Sequence, residues 1–386
     1  MKIFFLLPRI PFPLEKGDKL RAYNQLRYLA AHHEIHLCAL YEKEIHPEAY
    51  KALEPYCKTL HFLKLPIATR LYNLFLSFFN GKPFQVGYFF SKSNYKKIHN
   101  LLDEIKPDSI YCQLIRVAEY VKLYNINKTL DYQDVFSKGV ERRIATSSLP
   151  MKIVLKTEYK RLLAYEASVF DYFDHKTIIS CPDRDLIPHP KKEKIVVIPN
   201  GVDTQYYQPL TVNKEYDLLF TGNMGYPPNI ESAVFIVKKI LPLVQKKYPE
   251  LKVMIAGVNP SVKVLALKSE NVMVTGWVED MRVCYAKSRI FIAPMHLGTG
   301  LQNKLLEAMA MKLPCITSEL ANNALGAING KEILTATTAD DFANQIISLL
   351  DNNQKSQTLS QNGYQFVMDK YNWDKVNERL DKLICE

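Results

Sequence analysis

Short apolar runs alternate along the chain with longer segments in which apolar residues recur at helical spacing. The runs in the first half are KIFFLLP, EIHLCAL, TLHFLKL, SIYCQ, TLDYQD and KTIISC, and those in the second half are YDLLFTG, LKVMIAG, VMVTGW, RIFIAP and PCITS. Mostly continuous apolar runs are typical of strands that are buried on both faces. Because helical segments separate them, they predict parallel sheets covered on both sides, and therefore an α/β fold.

The chain length and the number of runs predict two domains. A chain of 386 residues is longer than one ordinary hydrophobic core organises. The segment HPKKEKIVVIPNGVDTQYYQP lies between the two sets of runs and is rich in proline and turn-forming residues. This composition is typical of a linker. Since both halves show the same alternation of strands and helices, we predict two similar domains that face each other.

Composition indicates a soluble globular protein of a reducing compartment. Apolar residues make up 47% of the chain and charged residues 23%, and no apolar run approaches the roughly 18 residues that indicate a membrane span. The N-terminal KIFFLLP is too short for a signal sequence and lacks a small-residue cleavage site. The seven cysteines are scattered and never form a CxxC pair. This argues against zinc and against a disulfide framework, and it predicts a cytoplasmic protein.

The positive charge of the chain is confined to its first half. Residues 1–200 contain 31 Lys and Arg against 21 Asp and Glu, whereas residues 201–386 contain 19 of each class. A net charge of +10 would by itself permit nucleic-acid binding. Its confinement to one half instead predicts that one domain faces an anionic partner.

The stretch RIFIAPMHLGTGLQNKLLEAMAM predicts a strand, a turn and a helix. Gly298 and Gly300 allow the backbone to approach a ligand closely, and a helix start presents free N–H groups to an anion. Lys304 adds a positive charge, and Glu307, on the same helix face, is suited to accept the two hydroxyls of a ribose. The alternative is a tight turn followed by a weak surface ion pair. The third glycine of the GxGxxG fingerprint is replaced by Asn303.

The segment GTGLQNKLLEAMAMKLPCITS resembles the most recognisable part of family 4 glycosyltransferases, which are retaining nucleotide-sugar enzymes. The resemblance implies the GT-B fold, in which two Rossmann-like α/β domains face each other across a cleft. That family carries two glutamates separated by seven residues, and the second holds the donor ribose. Glu307 matches the second glutamate, whereas the first falls on Thr299.

Other segments match the family in order. FTGNMGYPPN resembles the first loop of the second domain, VTGWVEDM the loop around the nucleobase, and VIPNGVD the interdomain linker. YNWDKVNERL resembles the terminal helix that crosses back to the first domain. The resemblance thus implies an acceptor-side domain at 1–198, a donor-binding domain at 199–364, and a returning helix at about 365–386. LPRIPFPLEKGDKLRAYNQLRYLA and LDYQDVFS resemble bacterial sugar transferases of exopolysaccharide assembly.

The donor side departs from the family in its cations. The family commonly places an arginine and a lysine on the loop after the first strand of this domain to bind the diphosphate. Here that loop offers Asn223 and Asn229 instead. Lys304 enters from the neighbouring helix start and is the predicted substitute, with the N–H groups of Gly300 and Leu301 beside it. The alternative is a solvated Lys304 on the helix surface.

Two further residues complete the predicted donor site, together with Gly298 and Thr299 of the turn. His296 is a candidate hydrogen-bond donor to the sugar or the phosphate. Trp277 follows Gly276 at the end of a strand and is a candidate to flank the base. A purely structural role is the alternative for each of the two.

The facing domain supplies candidate phosphate and acceptor contacts. Gly17 belongs to a loop that in the family lets backbone N–H groups approach the donor phosphate or the acceptor. Asp18 is a helix N-cap candidate, and Arg21, one turn on, is either a second phosphate contact or a surface charge. Asp131 and Asp134 straddle the end of the run TLDYQD. One of them orients an acceptor hydroxyl, or either simply caps a turn; our prediction of a catalytic pair names Asp134 and Lys304.

The resemblance implies sugar transfer with retention of anomeric configuration, in surface polysaccharide or glycan biosynthesis. The partners are then a nucleotide-diphosphate sugar and a saccharide or lipid-linked acceptor, with no nucleic acid, no cofactor and no obligatory metal. The sequence has no DxD motif in a predicted crevice loop, so Lys304 and the helix dipole would stabilise the leaving diphosphate. Two alternatives remain open: a sugar-nucleotide epimerase of the same fold, and a non-catalytic nucleotide-sugar binder.

One segment predicts contact with a membrane surface. Residues 55–102 contain no Asp or Glu, but seven Lys and Arg and eleven Phe and Tyr. Within it, Leu71, Leu74, Phe75 and Phe78 recur at helical spacing between Arg70 and Lys82. A basic, aromatic-rich amphipathic helix is typical of interfacial membrane binding. We therefore expect a peripheral protein on the cytoplasmic face of an anionic membrane, with Lys92, Lys96 and Lys97 contributing. The alternative is that the aromatic residues fill the core of the first domain.

Overall fold

The computed structural model describes residues 1–296 and 300–386 and divides the chain into two compact units. Unit 1 comprises Met1–Pro199 together with Asn377–Glu386, and unit 2 comprises Asn200–Val376. The predicted domain boundary lay between 198 and 199. Of the segment predicted to return at about 365–386, Asn377–Glu386 belongs to unit 1, whereas the chain stays in unit 2 until Val376. Gly298 and Thr299 of the predicted donor site lie outside the described residues.

Unit 1 is built on a parallel sheet of seven strands in the order β3-β2-β1-β4-β5-β6-β7. The first strand lies near the middle of this sheet, and its residues from Ile3 to Leu7 are fully buried. The strands are β1 (Lys2–Leu7), β2 (Glu34–Tyr41), β3 (Thr59–Lys64), β4 (Ser109–Gln113), β5 (Asn127–Asp131), β6 (His175–Ile178) and β7 (Val196–Val197).

Eight α-helices connect these strands. Four short 3₁₀ turns supplement them at Glu54–Tyr56, Ile115–Tyr120, Phe170–Tyr172 and Lys192–Lys194. The helices are α1 (Gly17–Leu29), α2 (Ala49–Leu53), α3 (Ile67–Ser77), α4 (Phe84–Phe89), α5 (Lys92–Ile105), α6 (Phe136–Thr146), α7 (Leu149–Val169) and α8 (Cys181–Leu186).

Unit 2 repeats the same design with six parallel strands in the order β10-β9-β8-β11-β12-β13. Its central strand is fully buried from Leu218 to Phe220, which explains why this part of the sequence is continuously apolar. The strands are β8 (Tyr216–Thr221), β9 (Val253–Ala256), β10 (Val272–Val274), β11 (Ser288–Ala293), β12 (Cys315–Ser318) and β13 (Leu334–Ala336).

The helices of unit 2 follow the same alternation. A π-helical segment, Ile236–Ile240, joins the first two helices, and the last helix begins in unit 2 and ends in unit 1. The helices are α9 (Pro227–Phe235), α10 (Leu241–Gln245), α11 (Val262–Leu265), α12 (Met281–Ala286), α13 (Asn303–Ala310), α14 (Glu319–Leu325), α15 (Ala339–Asp351), α16 (Asn353–Lys370) and α17 (Trp373–Cys385).

The strand order identifies one position in each sheet where a ligand is expected. In unit 1 the connections diverge between β1 and β4, and in unit 2 they diverge between β8 and β11. Loops that leave neighbouring parallel strands in opposite directions open a crevice at the carboxyl ends of those strands. Across the described residues, no helix is both long and apolar enough to span a membrane.

Candidate active site

The candidate site of unit 2 lies at the divergence of β8 and β11. The loop after β8 leads into α9, and the chain after β11 leads into α13. The predicted strand, turn and helix are present, and α13 begins at Asn303. Gly300 and Leu301 therefore precede the helix, and the Leu301 side chain packs against the core of unit 2. Lys304 and Glu307 lie in the first two turns of α13, at the crevice end of this helix.

Lys304 is held in place by neutral groups. Its Nζ donates a hydrogen bond of 2.7 Å to Asn229 Oδ1 and lies 4.5 Å from the centre of the Phe220 ring. Burial lowers the pKa of Lys304 to about 7, against the opposing effect of the Glu307 carboxylate. The alternative of a solvated surface lysine is therefore wrong. A half-buried ammonium group that has no described carboxylate bonded to it is suited to receive an anionic ligand.

The two predicted asparagines build the loop that holds Lys304. The Asn229 side chain is buried, and its Nδ2 donates a hydrogen bond of 2.9 Å to the carbonyl oxygen of Asn223. The Oδ1 of Asn223 in turn accepts a hydrogen bond of 3.0 Å from the N–H of Gly225. The contacts of Asn229 make it a positioning group for the lysine.

Two glycines let the neighbouring loops approach each other. Gly222 and Gly257 have φ values of +152° and +141°, which side chains disfavour. A Cβ on Gly222 would lie 3.0 Å from Lys304 Nζ, and one on Gly257 would lie 1.8 Å from the carbonyl oxygen of Gly222. Larger residues at either position would displace the loop around Lys304.

Glu307 accepts hydrogen bonds from two tyrosines that the sequence analysis missed. Tyr285 Oη lies 2.7 Å from Glu307 Oε2 and 3.0 Å from the hydroxyl of Thr221, and the Tyr207 hydroxyl also bonds to the carboxyl. Burial raises the pKa of Glu307, although the two hydrogen bonds and the Lys304 charge oppose the shift. Glu307 therefore does not form a weak surface ion pair with Lys304. A carboxylate has about four lone-pair positions, so two bound tyrosines leave room for ligand hydroxyls.

The other donor-side candidates are exposed. Trp277 has 71% of its surface exposed, which excludes the core-packing alternative for this residue. His296 is exposed as well, and its ring meets Phe235 edge-on at a centroid distance of 4.6 Å. Contacts of Trp277 with a base and of His296 with a sugar or phosphate stay predictions.

In unit 1, the prediction for Arg21 is wrong. Its side chain is fully buried and forms two hydrogen bonds to the carboxylate of Asp131, from Nε at 2.7 Å and from an Nη at 3.1 Å. Another Nη donates to the carbonyl oxygen of Pro199 at 3.0 Å. Asp131 also accepts hydrogen bonds from Tyr111 and Thr177, each of 2.8 Å. These groups are engaged inside the unit, so neither Arg21 as a phosphate contact nor Asp131 as an acceptor contact is supported.

Asp18 is not the N-cap of α1, because Lys16 occupies that position. Asp18 lies in the first turn and forms an ion pair of 2.5 Å with Arg9. Gly17 is exposed at the start of the same helix, and no described heavy atom other than those of its chain neighbours and its own helix would lie within 4 Å of an added Cβ. The backbone at Gly17 is therefore open, and its contact with a donor phosphate or an acceptor stays a prediction.

The role of Asp134 as an acceptor contact stays a prediction. The residue is exposed, and its Oδ1 accepts a hydrogen bond of 2.7 Å from the N–H of Val135. Desolvation by the surrounding protein raises its pKa, although that hydrogen bond and the charges of Arg142 and Arg116 act in the opposite direction. A carboxylate with a raised pKa is a better acceptor for a hydroxyl proton than an ordinary aspartate.

Comparison with known proteins agrees with this architecture. Residues 215–352 match the family described as "Glycosyl transferases group 1". The chain is 25% identical, over 99% of both chains, to an "Uncharacterized 44.6 kDa protein in cps region" of Klebsiella pneumoniae.

Among solved structures, sucrose-phosphate synthase of Thermosynechococcus elongatus superposes with a TM-score of 0.70 at 13% identity, over 99% of this chain and 98% of that one. HepE of Anabaena, solved in complex with UDP, superposes with a TM-score of 0.69 at 14% identity, over 99% of both chains. These likenesses confirm the predicted fold class. The chain therefore has the GT-B fold, and residues 215–352 of its second unit match the glycosyltransferase group 1 family.

Proposed function

We propose that this protein transfers a sugar from a nucleotide-diphosphate sugar to a saccharide or lipid-linked acceptor, with retention of anomeric configuration, in surface polysaccharide biosynthesis. The observation that carries the proposal is the pair formed by Lys304 and Glu307 at the divergence of β8 and β11. A cation and a hydrogen-bonding carboxylate on one helix face match the diphosphate and the ribose of one ligand.

The solved relatives and the sequence relative support this proposal. HepE of Anabaena was solved with UDP, with UDP and glucose, and with UDP-glucose. TarM of S. aureus was solved with UDP among its ligands. The Klebsiella relative is named for its cps region. From the likeness of fold to these structures, we infer that this chain uses a nucleotide-sugar donor. From the Klebsiella relative, which matches over 99% of both chains, we infer a role in polysaccharide assembly.

The proposed chemistry relies on positioned charges. The bond between the sugar and the diphosphate breaks as the acceptor hydroxyl attacks the same face of the sugar, and Lys304 stabilises the negative charge that develops on the leaving diphosphate. The acceptor hydroxyl gives its proton to an oxygen of the leaving diphosphate as the new glycosidic bond forms, and Asp134, the predicted acceptor contact, is proposed to accept a hydrogen bond from that hydroxyl beforehand. No protein side chain forms a bond to the sugar in this scheme.

A non-catalytic nucleotide-sugar binder is the second candidate, because Thr299 stands where the family has its first glutamate. An assay of nucleoside diphosphate release separates the candidates. The full chain is first screened for thermal stabilisation by UDP-, GDP- and ADP-sugars. The stabilising donor is then incubated with and without saccharide and lipid-linked acceptors. Release that depends on an acceptor supports transfer, and an anomeric product identical in configuration to the donor supports retention. Binding without release supports the binder, and acceptor-independent conversion of the donor indicates an epimerase.

Glu307→Gln is expected to weaken nucleotide-sugar binding by about tenfold or more, because a hydrogen bond to a charged group contributes about 1.5–3 kcal/mol. Glutamine keeps the shape of the side chain and still accepts from Tyr285, so the fold is expected to be retained. Titration calorimetry with the stabilising donor measures the affinity, and circular dichroism monitors the fold. Glu319→Gln, on a different helix of unit 2, is the matched control. Unchanged affinity in a folded Glu307→Gln protein would contradict the ribose assignment.

A further inference from the structure

Helix α3 of unit 1 turns its apolar face outward. Phe79, just after the helix, has 75% of its surface exposed, and Phe75 has 60%. The members of this outward face share a helical stripe and are all exposed: Ile67, Leu71, Tyr72, Phe75, Phe78 and Phe79. Exposed apolar side chains of this size on one continuous face indicate an interaction site, whereas single ones do not.

The inward face of α3 carries its polar groups. Arg70 donates a hydrogen bond of 2.7 Å to Glu42, and Asn73 Nδ2 donates one of 2.5 Å to the carbonyl oxygen of Phe90. Ser77 is fully buried and donates to the carbonyl oxygen of Asn73. It packs so closely against Gly87 that a Cβ there would lie 2.0 Å from its Oγ. Because these contacts fix the rotation of the helix, its apolar stripe cannot turn inward.

The predicted stripe needs two corrections. Leu74 is half-buried and belongs to the side of the helix that faces the protein. Arg70 and Lys82, expected as flanking cations, form ion pairs with Glu42 and Glu119. Neither side chain is therefore a free flanking cation of the outward face.

Further cations lie on α7. Arg161 of this helix donates hydrogen bonds to the carbonyl oxygens of Ser77 and, at 3.2 Å, of Phe78, and so binds α7 to the end of α3. The only carboxylates of Leu149–Val169 are Glu158 and Glu166, and both are buried. Its remaining charged residues are Lys152, Lys156, Lys160 and Arg161. Three apolar residues near its N-terminus are exposed: Leu149, Met151 and Ile153.

We propose that α3 and the N-terminal half of α7 dock on the surface of an anionic lipid bilayer. Aromatic and aliphatic side chains that enter the headgroup region, accompanied by lysines, are what such binding requires. A second copy of the chain is a poor occupant, because a symmetric contact through this face would bring its lysines against the same lysines. The surface lies in unit 1, so the proposal does not rest on the proposed donor site of unit 2.

Sedimentation with vesicles tests this docking. The full chain is mixed with vesicles of phosphatidylcholine alone, or with about one third phosphatidylglycerol, at low and high salt. The apolar variant carries Leu71→Ser, Phe75→Ser and Phe79→Ser, and its control carries Val262→Ser, Met273→Ser and Ile328→Ser at exposed apolar positions of unit 2.

The charge variant carries Lys152→Glu, Lys156→Glu and Lys160→Glu. Its control carries Lys238→Glu, Lys263→Glu and Lys268→Glu.

Wild-type protein and both controls are expected to sediment with anionic vesicles, more weakly at high salt. The apolar and the charge variants are each expected to bind about tenfold more weakly or worse. Absence of wild-type binding, or equal binding of the apolar variant, would overturn the proposal. So would a concentration-dependent dimer that the apolar variant abolishes, because a second copy would then cover the face.

A single substitution tests the same face without relying on the folding of a triple variant. Phe79→Trp introduces an indole on the exposed face, whereas both native tryptophans lie in unit 2. The fluorescence emission of this variant, after subtraction of the wild-type signal, is expected to shift to shorter wavelength with anionic vesicles. An unchanged emission maximum would count against insertion of this face.

Discussion

Replacement of Lys304 by alanine is expected to lower kcat by about two to three orders of magnitude, the usual effect of removing one group that stabilises developing negative charge. Lys304 provides a positive charge, and its Nζ is hydrogen-bonded to Asn229 in the first turn of α9. Charge on the diphosphate grows as the bond to the sugar breaks, so the transition state needs the ammonium group more than the bound donor does. The affinity for the donor is therefore expected to fall less than kcat.

Steady-state kinetics with the stabilising donor, together with calorimetry of donor binding, separates the two effects. Lys304→Arg keeps the charge and is expected to retain more activity than Lys304→Ala. Lys312→Ala, on the exposed surface after α13, is the matched control and is expected to behave like wild type. Equal losses of kcat and of affinity in Lys304→Ala would show that the lysine contacts only the ground state.

The lowered pKa of Lys304 gives this prediction a pH dependence. In the free protein its pKa is about 7, and a bound diphosphate is expected to raise it, because the anion favours the charged form. Donor binding then takes up a proton, so affinity is full below pH 7 and decreases as the pH rises, by at most about tenfold per pH unit. Calorimetry in buffers of different ionisation enthalpy measures the uptake. Lys304→Arg, which stays charged, is expected to abolish it.

Asp131→Asn is expected to destabilise unit 1 by about 3–5 kcal/mol, the usual effect of breaking a buried ion pair by removing one partner. The substitution removes the charge that compensates the fully buried Arg21. One of the two oxygens becomes an amide group, which cannot accept the hydrogen bonds now donated to it by Arg21 and by Tyr111 or Thr177. The effect is expected on the fold and not on donor affinity.

Thermal unfolding followed by far-ultraviolet circular dichroism measures this loss in the full chain. The double variant Arg21→Met, Asp131→Leu removes both charges together and is expected to be more stable than Asp131→Asn alone. Asp374→Asn, at an exposed position, serves as the control. A melting profile of Asp131→Asn that overlays the wild-type profile would contradict the account of this ion pair.

The two sheets could be predicted because most of their strands are buried on both faces. All eleven apolar runs became strands, and only β3 among them has no buried residue. The two strands that were missed, Val196–Val197 and Leu334–Ala336, have two and three residues. They also lie at the edges of their sheets. Runs this short do not differ from loop sequences in their apolar pattern.

The part of the candidate site that lies on one helix could be predicted from its spacing, whereas the approach of Asn229 to Lys304 was expected only from the family resemblance. Lys304 and Glu307 were found together because one helix turn separates them. Tyr207 and Tyr285 come from distant segments, and a tyrosine that bonds to a carboxylate does not differ in sequence from one that packs in a core. Arg21 was wrongly placed at a phosphate for the same reason, because its partner lies 110 residues away. The rotation of α3 was likewise hidden, since its inward contacts are with Glu42 and Phe90.

The buried carboxylate of Asp131 accepts hydrogen bonds from side chains of α1, β4 and β6. These groups depend on one another. Arg21 needs the negative charge of Asp131, and the Asp131 carboxylate needs the hydrogen bonds from Tyr111 and Thr177. A change at any single position leaves a buried polar group without its partner, whereas a joint change to apolar residues does not. In evolutionary terms, positions 21, 111, 131 and 177 are therefore expected to be inherited as a set, and to be replaced together in relatives that lack any one of them.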